Sequence, residues 1–250
     1  MTFKINDNSI LKKIKFQYNK NQKTNYEKNL LLFKIFRPIS FYLAFFFIFI
    51  KAKPNFVTFL NFLLIMSSYF IFLKGYMLLG CLFLLLSFIF DLTDGNMARY
   101  YKSNNSFGKI ADGLVDSFVF LTFFFYAISL IINEQKIYNE NFTLLIGALT
   151  SISYLFKMYF DTKCSFVLIR DKKRNRNISK NSFLEKKKYF FYKIKNLINQ
   201  FYLGIPIFLI ICIIIGYPSF GLIFYFFMIF FWSNLEILFK LFILWKKFNK

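Results

Sequence analysis

From residue 33 onward the chain is a succession of long apolar runs separated by short polar or basic stretches. Its first 32 residues differ: they are polar and basic, show no sustained apolar periodicity, and predict an arm that is flexible or lies on a membrane surface. Between Phe33 and Ile50 the sequence turns apolar, is broken by Lys34, Arg37 and Pro38, and stops at Lys51-Ala52-Lys53-Pro54. The uninterrupted part falls short of the roughly 20 residues of a comfortable span, so it predicts an interfacial helix, with a true span as the alternative. Six longer apolar stretches follow, at 55–73, 76–98, 108–132, 142–169, 199–216 and 219–245. The expected fold is an all-α polytopic membrane protein: a basic arm with an interfacial helix over 1–53, then a six-helix membrane domain over 54–250.

Composition supports this class and narrows the chemistry. At 57% hydrophobic residues the chain carries more uninterrupted apolar sequence than a soluble domain of 250 residues buries. The 41 Phe are expected to face lipid or pack between helices rather than to line a cofactor box. A net charge of +21 would suggest nucleic acid in a soluble protein. Its distribution predicts instead that no nucleic acid is bound. Eleven Lys/Arg fall in 1–53 and eleven in 170–195, and Lys240, Lys246, Lys247 and Lys250 close the sequence. With a cytoplasmic N-terminus, the outer connections near Lys74-Gly75, Asn133–Asn141 and Gly216–Ser219 hold only Lys74 and Lys136. Every basic-rich stretch then lies inside, which is the positive-inside pattern, with both termini cytoplasmic. The same basic segments are expected to meet membrane lipid headgroups. The polar start predicts no cleavable signal peptide. The absence of histidine excludes His-dependent catalysis, and Cys81, Cys164 and Cys212 show no metal-ligand spacing.

Against this apolar background, residues 91–116 carry four carboxylates, which are expensive near a membrane and mark a functional site by default. Asp94, Gly95, Ala98 and Arg99 follow Asp91 by three, four, seven and eight residues, one face of a helix. Gly108, Asp112 and Asp116 step by four, again on one face. Two helix ends would thus present four acids across a narrow gap, and hard oxygen donors suit a divalent metal such as Mg²⁺ or Mn²⁺.

The run Asp91-x2-Asp94-Gly95-x2-Ala98-Arg99-x8-Gly108-x3-Asp112-x3-Asp116 resembles the signature of the CDP-alcohol phosphatidyltransferases in all eight fixed positions. At roughly one in twenty per position, a chance hit in the chain is on the order of one in 10⁸. A weaker resemblance extends to Pro54-Asn55-Phe56-Val57-Thr58, similar to the Pro-Asn-x-x-Thr with which many members begin their first membrane helix. The resemblance implies transfer of a phosphatidyl group from a CDP-activated lipid, such as CDP-diacylglycerol, to a small alcohol or alcohol-phosphate acceptor in phospholipid synthesis, with release of CMP. It implies two divalent cations, Mg²⁺ or Mn²⁺, held by Asp91, Asp94, Asp112 and Asp116, with Asp116 also the general base. Gly95, Ala98 and Gly108 would give the nucleotide close approach, Arg99 would contact its diphosphate, and Asn55 and Thr58 are further candidate nucleotide contacts. It implies a homodimer as well. The expected location is a bacterial-type inner membrane with the site at the cytoplasmic mouth.

The remaining membrane charges are read more plainly. Glu236/Lys240 and Lys157/Asp161 are each four apart and predict intrahelical pairs. Lys157, Asp161 and Lys163 are also the candidates for an acceptor pocket. The acceptor itself stays open, because Asp112-Gly113-Leu114-Val115-Asp116-Ser117 lacks the Asp-Pro-x-x-Asp-Lys of many glycerol-phosphate users and the Arg after the final Asp of inositol-phosphate users. A CDP-linked polyol donor for surface polymers is the enzymatic alternative. A cation carrier would need polar residues through the outer half of the helices, whereas Leu82–Phe90 and Phe118–Phe125 are almost wholly apolar. A non-catalytic scaffold is the remaining rival.

Overall fold

A computed structural model describes residues 7–20, 31–102, 106–174 and 204–248. Every regular element among them is helical. In chain order these are α1 (Asp7–Lys20), α2 (Leu31–Phe49), α3 (Pro54–Leu73), α4 (Met77–Tyr101) and α5 (Ser106–Phe118). A single 3₁₀ turn (Val119–Leu121) leads into α6 (Thr122–Ile132) and then α7 (Glu140–Arg174). Next come α8 (Ile205–Ile215), α9 (Pro218–Phe226), a π turn (Phe227–Phe231) and α10 (Trp232–Phe248).

Six stretches are long and apolar enough to cross a membrane: Leu31–Phe49, Pro54–Leu73, Met77–Tyr101, Ile110–Ile132, Glu140–Cys164 and Pro218–Phe242. The membership of this set differs from expectation at two places. Leu31–Phe49 qualifies on length and composition despite Lys34, Arg37 and Pro38, because the helix runs through all three. Of the stretch expected at 199–216 the described part is the 11-residue α8; residues 199–203 lie outside the described ones.

The described residues divide into two compact units. The first takes α1, α2, α5, nearly all of α3 and α4, and the start of α8. Here the sequence reading of residues 1–32 needs correction. Ile10, Ile14 and Tyr18 are spaced by four and form a buried stripe, so α1 is a docked amphipathic helix and not an aperiodic arm. The stripe packs against Phe41, Ala44, Phe47 and Ile48 of α2 together with Val57 and Met97. Its other face exposes Lys12, Lys13, Lys15 and Lys20. The turn from α2 to α3 is closed by Lys51 and Ala52 N–H groups donating to the Ile48 and Phe47 carbonyls, and Pro54 starts α3 where no N–H is needed. The Tyr69 hydroxyl of α3 donates to the Phe118 carbonyl, fixing the end of α5.

The second unit is built mainly from α6, α7, α9 and α10. Buried Tyr126 meets Phe72 edge-on at 5.8 Å, and its hydroxyl donates to the Pro218 carbonyl at 3.1 Å. The Gly75 turn is left-handed (φ 81°) and has Asn133 Nδ2 donating to its carbonyl at 2.7 Å. α6 and α7 approach through Gly147: a Cβ there would lie 2.6 Å from Ala127 Cβ and 2.8 Å from the Phe123 carbonyl oxygen. Small residues let membrane helices come this close. Gly147→Val is therefore expected to cost about 1–3 kcal/mol through overpacking, and Ala127→Gly to relieve part of it. Thermal unfolding of the detergent-purified variants measures both; an unshifted midpoint for Gly147→Val would contradict the contact.

Candidate metal centre

The C-terminal third of α4 and all of α5 carry the acidic motif, both within the first unit. On α4, Asp91, Gly95, Ala98 and Arg99 are half-exposed while Leu92, Thr93, Asp94, Asn96 and Met97 are buried. The helix thus opens the face its spacing of four, three and one defines, with Asp94 beneath it. On α5, Gly108, Asp112 and Asp116 are half-exposed at steps of four.

This arrangement brings one carboxylate oxygen each from Asp91, Asp112 and Asp116 within 4.8 Å of the others. Oxygens on opposite sides of one divalent ion sit roughly 4–5 Å apart, so the three residues fit such an ion. Three carboxylates this close repel unless a cation neutralises them. Asp94 is not in that trio. It accepts a hydrogen bond from the Thr58 hydroxyl at 2.7 Å, the shorter of two contacts of that hydroxyl, the other being the Pro54 carbonyl at 3.3 Å. Thr58, a candidate nucleotide contact, thus has its donor committed to orienting an acid. Asn55 stands exposed in the first turn of α3.

Two participants were not singled out from the sequence. Arg37 of α2, read only as a break in an apolar run, is buried, and its Nη1 donates to the Leu92 carbonyl (3.3 Å) and Asn96 Oδ1 (3.4 Å). Its charge also lies within electrostatic reach of Asp91. Asn96 fills an unspecified position of the motif; its Oδ1 also accepts from Arg99 Nη1 at 3.2 Å. The available signal was a buried-type cation inside an apolar helix, which marks function as reliably as the aspartates do.

The acceptor-pocket candidates lie in the second unit. Lys157 pairs with Glu236 at 3.1 Å, and Glu236 also pairs with Lys240 at 2.8 Å, as its spacing predicted. Lys157 thus links α7 to α10 through that carboxylate. Lys163 is exposed, with Nζ 5.3 Å from the Tyr159 ring centroid. The Asp161 side chain lies outside the described residues.

What the first unit offers is a cluster of hard anionic oxygens for a divalent cation, bordered by the half-exposed Arg99 guanidinium, a group suited to a phosphate. A search of curated proteins finds no match. The family model for CDP-alcohol phosphatidyltransferase matches residues 51–245, which includes both acidic half-motifs and every residue of the cluster. The chain belongs to the CDP-alcohol phosphatidyltransferase family, integral membrane transferases that move phosphate-containing groups from CDP-alcohols.

Proposed function

We propose that the chain transfers a phosphatidyl group from a CDP-activated lipid such as CDP-diacylglycerol to the hydroxyl of a small alcohol or alcohol phosphate, releasing CMP. The observation that carries this is the convergence of Asp91, Asp112 and Asp116 oxygens within 4.8 Å on the two half-motifs of the family. Asp91, Asp94, Asp112 and Asp116 would hold two divalent cations, Mg²⁺ or Mn²⁺, with Asp94 oriented by Thr58. Such ions, when bound, supply neutralising charge to the diphosphate and to the oxygens that exchange at phosphorus.

The chain's own residues account for the remaining chemistry. Arg99 gives charge-assisted donors to the diphosphate, lying along the half-exposed face of α4. A Cβ at Gly95 would sit 3.6 Å from Arg99 Nη1, so Gly95 keeps the floor beside that guanidinium low. Gly108 and Ala98 keep neighbouring surfaces shallow in the same way. Asp116 takes the proton of the acceptor hydroxyl as that oxygen bonds to the phosphorus bearing the donor alcohol. The bond from this phosphorus to the bridging oxygen breaks, and CMP leaves with that oxygen.

In this reading the crossings are the six expected from the sequence, 199–216 included and α2 excluded, so both termini and the site face the cytoplasm. α2 supports it. Were Leu31–Phe49 to cross, the lysines of α1 and the Lys51/Lys53 turn would fall on opposite sides, against the charge bias. Moreover, α1 lies along α2 from Phe41 to Ile48 with its lysines exposed, which favours an interfacial position for that helix pair over one in hydrocarbon. A homodimer completes the proposal.

Purified protein supplied in parallel with CDP-diacylglycerol and a CDP-linked polyol, each with pooled alcohols and alcohol phosphates, tests the donor and acceptor together. Mass spectrometry is expected to find a new phospholipid only with the lipid donor. Product from the polyol alone would replace this reading with the surface-polymer one.

A further inference from the structure

We infer that Arg37, Asn96 and Tyr18 are positioning residues for Arg99, holding its guanidinium ready for the donor diphosphate; the inference rests on the function proposed above. The hydrogen bonds form a closed circuit. Ser40 Oγ donates to the Arg37 carbonyl at 2.8 Å, so toward Asn96 it can only accept, which it does from Nδ2 at 2.9 Å. With Nδ2 turned to Ser40, Asn96 Oδ1 faces the guanidiniums and takes Nη1 of Arg37 at 3.4 Å and Nη1 of Arg99 at 3.2 Å. The Tyr18 ring lies under both cations, 4.7 Å from Arg37 Cζ and 5.6 Å from Arg99 Cζ.

Two guanidiniums thus share one neutral oxygen and one ring, so that moving Arg37 or Asn96 moves Arg99 with it. Arg37 is buried and does not itself meet substrate; it fixes the amide that fixes Arg99. Tyr18, Arg37 and Ser40 all precede residue 51, where the family match begins. The helices α1 and α2 of this chain therefore complete a site whose signature lies downstream.

The test is a double-mutant cycle on the full-length protein with Mg²⁺ and CDP-diacylglycerol, following CMP release. Arg37→Gln is expected to raise the KM for the donor about tenfold with kcat nearly unchanged, the signature of lost binding common to ground and transition states. Combined with Arg99→Gln it should add nothing beyond Arg99→Gln alone, since both act through one guanidinium. Tyr18→Leu, which keeps α1 packed but removes the ring face, should also raise KM alone. Losses that multiply in the double variant, or a fall in kcat at constant KM, overturn the inference while leaving the function intact. A folded wild type that releases no CMP overturns the function and this role with it. Thermal unfolding of Arg37→Gln and Asn96→Leu, singly and together, reads the network without substrate: non-additive midpoint shifts support it, and additive shifts overturn it.

Discussion

Asp116→Asn is expected to lower CMP formation by about 10³-fold while the protein remains folded and inserted. Asparagine matches aspartate in shape, and Asp116 is half-exposed on α5, so packing is preserved. What is lost is the group that takes the acceptor proton, and general-base contributions are typically 10²–10⁴-fold. One charge also leaves a cluster whose other members, Asp91 and Asp112, persist. Divalent-ion binding should therefore weaken without vanishing, and saturating Mg²⁺ should not restore turnover. Comparing CMP release at low and saturating Mg²⁺ separates the two contributions. Normal turnover at saturating metal would remove Asp116 from the base role, and recovery by metal alone would make it a ligand only.

The largest stability effect is expected far along the sequence, at Glu236. This carboxylate lies between Lys157 at 3.1 Å and Lys240 at 2.8 Å, with Glu236 and Lys157 side chains 12% and 11% exposed. Glu236→Gln takes the carboxylate away from the Lys157 ammonium, and breaking such a buried pair from one side typically costs about 3–5 kcal/mol. Lys240, 25% exposed, has the freedom to extend toward water and contributes less to the penalty. The double variant Lys157→Met/Glu236→Leu should recover most of the loss, because it removes both charges and keeps apolar volume. Thermal unfolding in detergent measures each step. If Lys157→Met instead leaves stability unchanged and raises the KM for the acceptor, Lys157 serves the acceptor pocket and not the packing of these helices.

The legible and illegible parts of the chain divide along physical lines. The acidic motif could be read directly because helical spacing alone puts Asp91, Gly95, Ala98 and Arg99 on one face, and the half-exposed pattern of α4 follows it residue by residue. The helical membrane class was equally plain from the length of the apolar runs. α1 was missed because its stripe has only three members, Ile10, Ile14 and Tyr18, among lysines and asparagines, and becomes meaningful only once α2 offers a surface. Thr58 with Asp94, Arg37 with Asn96, and Lys157 with Glu236 each join distant segments, so no local pattern announced the pairing. The pair of Glu236 and Lys240 followed its spacing of four, whereas the reach of Lys157 from α7 to the same carboxylate is a product of packing alone.

The central claim is that this aspartate cluster is a divalent-metal site for phosphoryl transfer from a CDP-alcohol. The most direct measurement is CMP release from CDP-diacylglycerol by the purified protein, with Mg²⁺ or Mn²⁺ titrated in after chelation, across a pool of alcohols and alcohol phosphates. The chelated protein is expected to release no CMP, either ion to restore it, and a new lipid to appear in equal amount. A folded protein that releases no CMP at any metal concentration, or releases it equally after chelation, would contradict the claim.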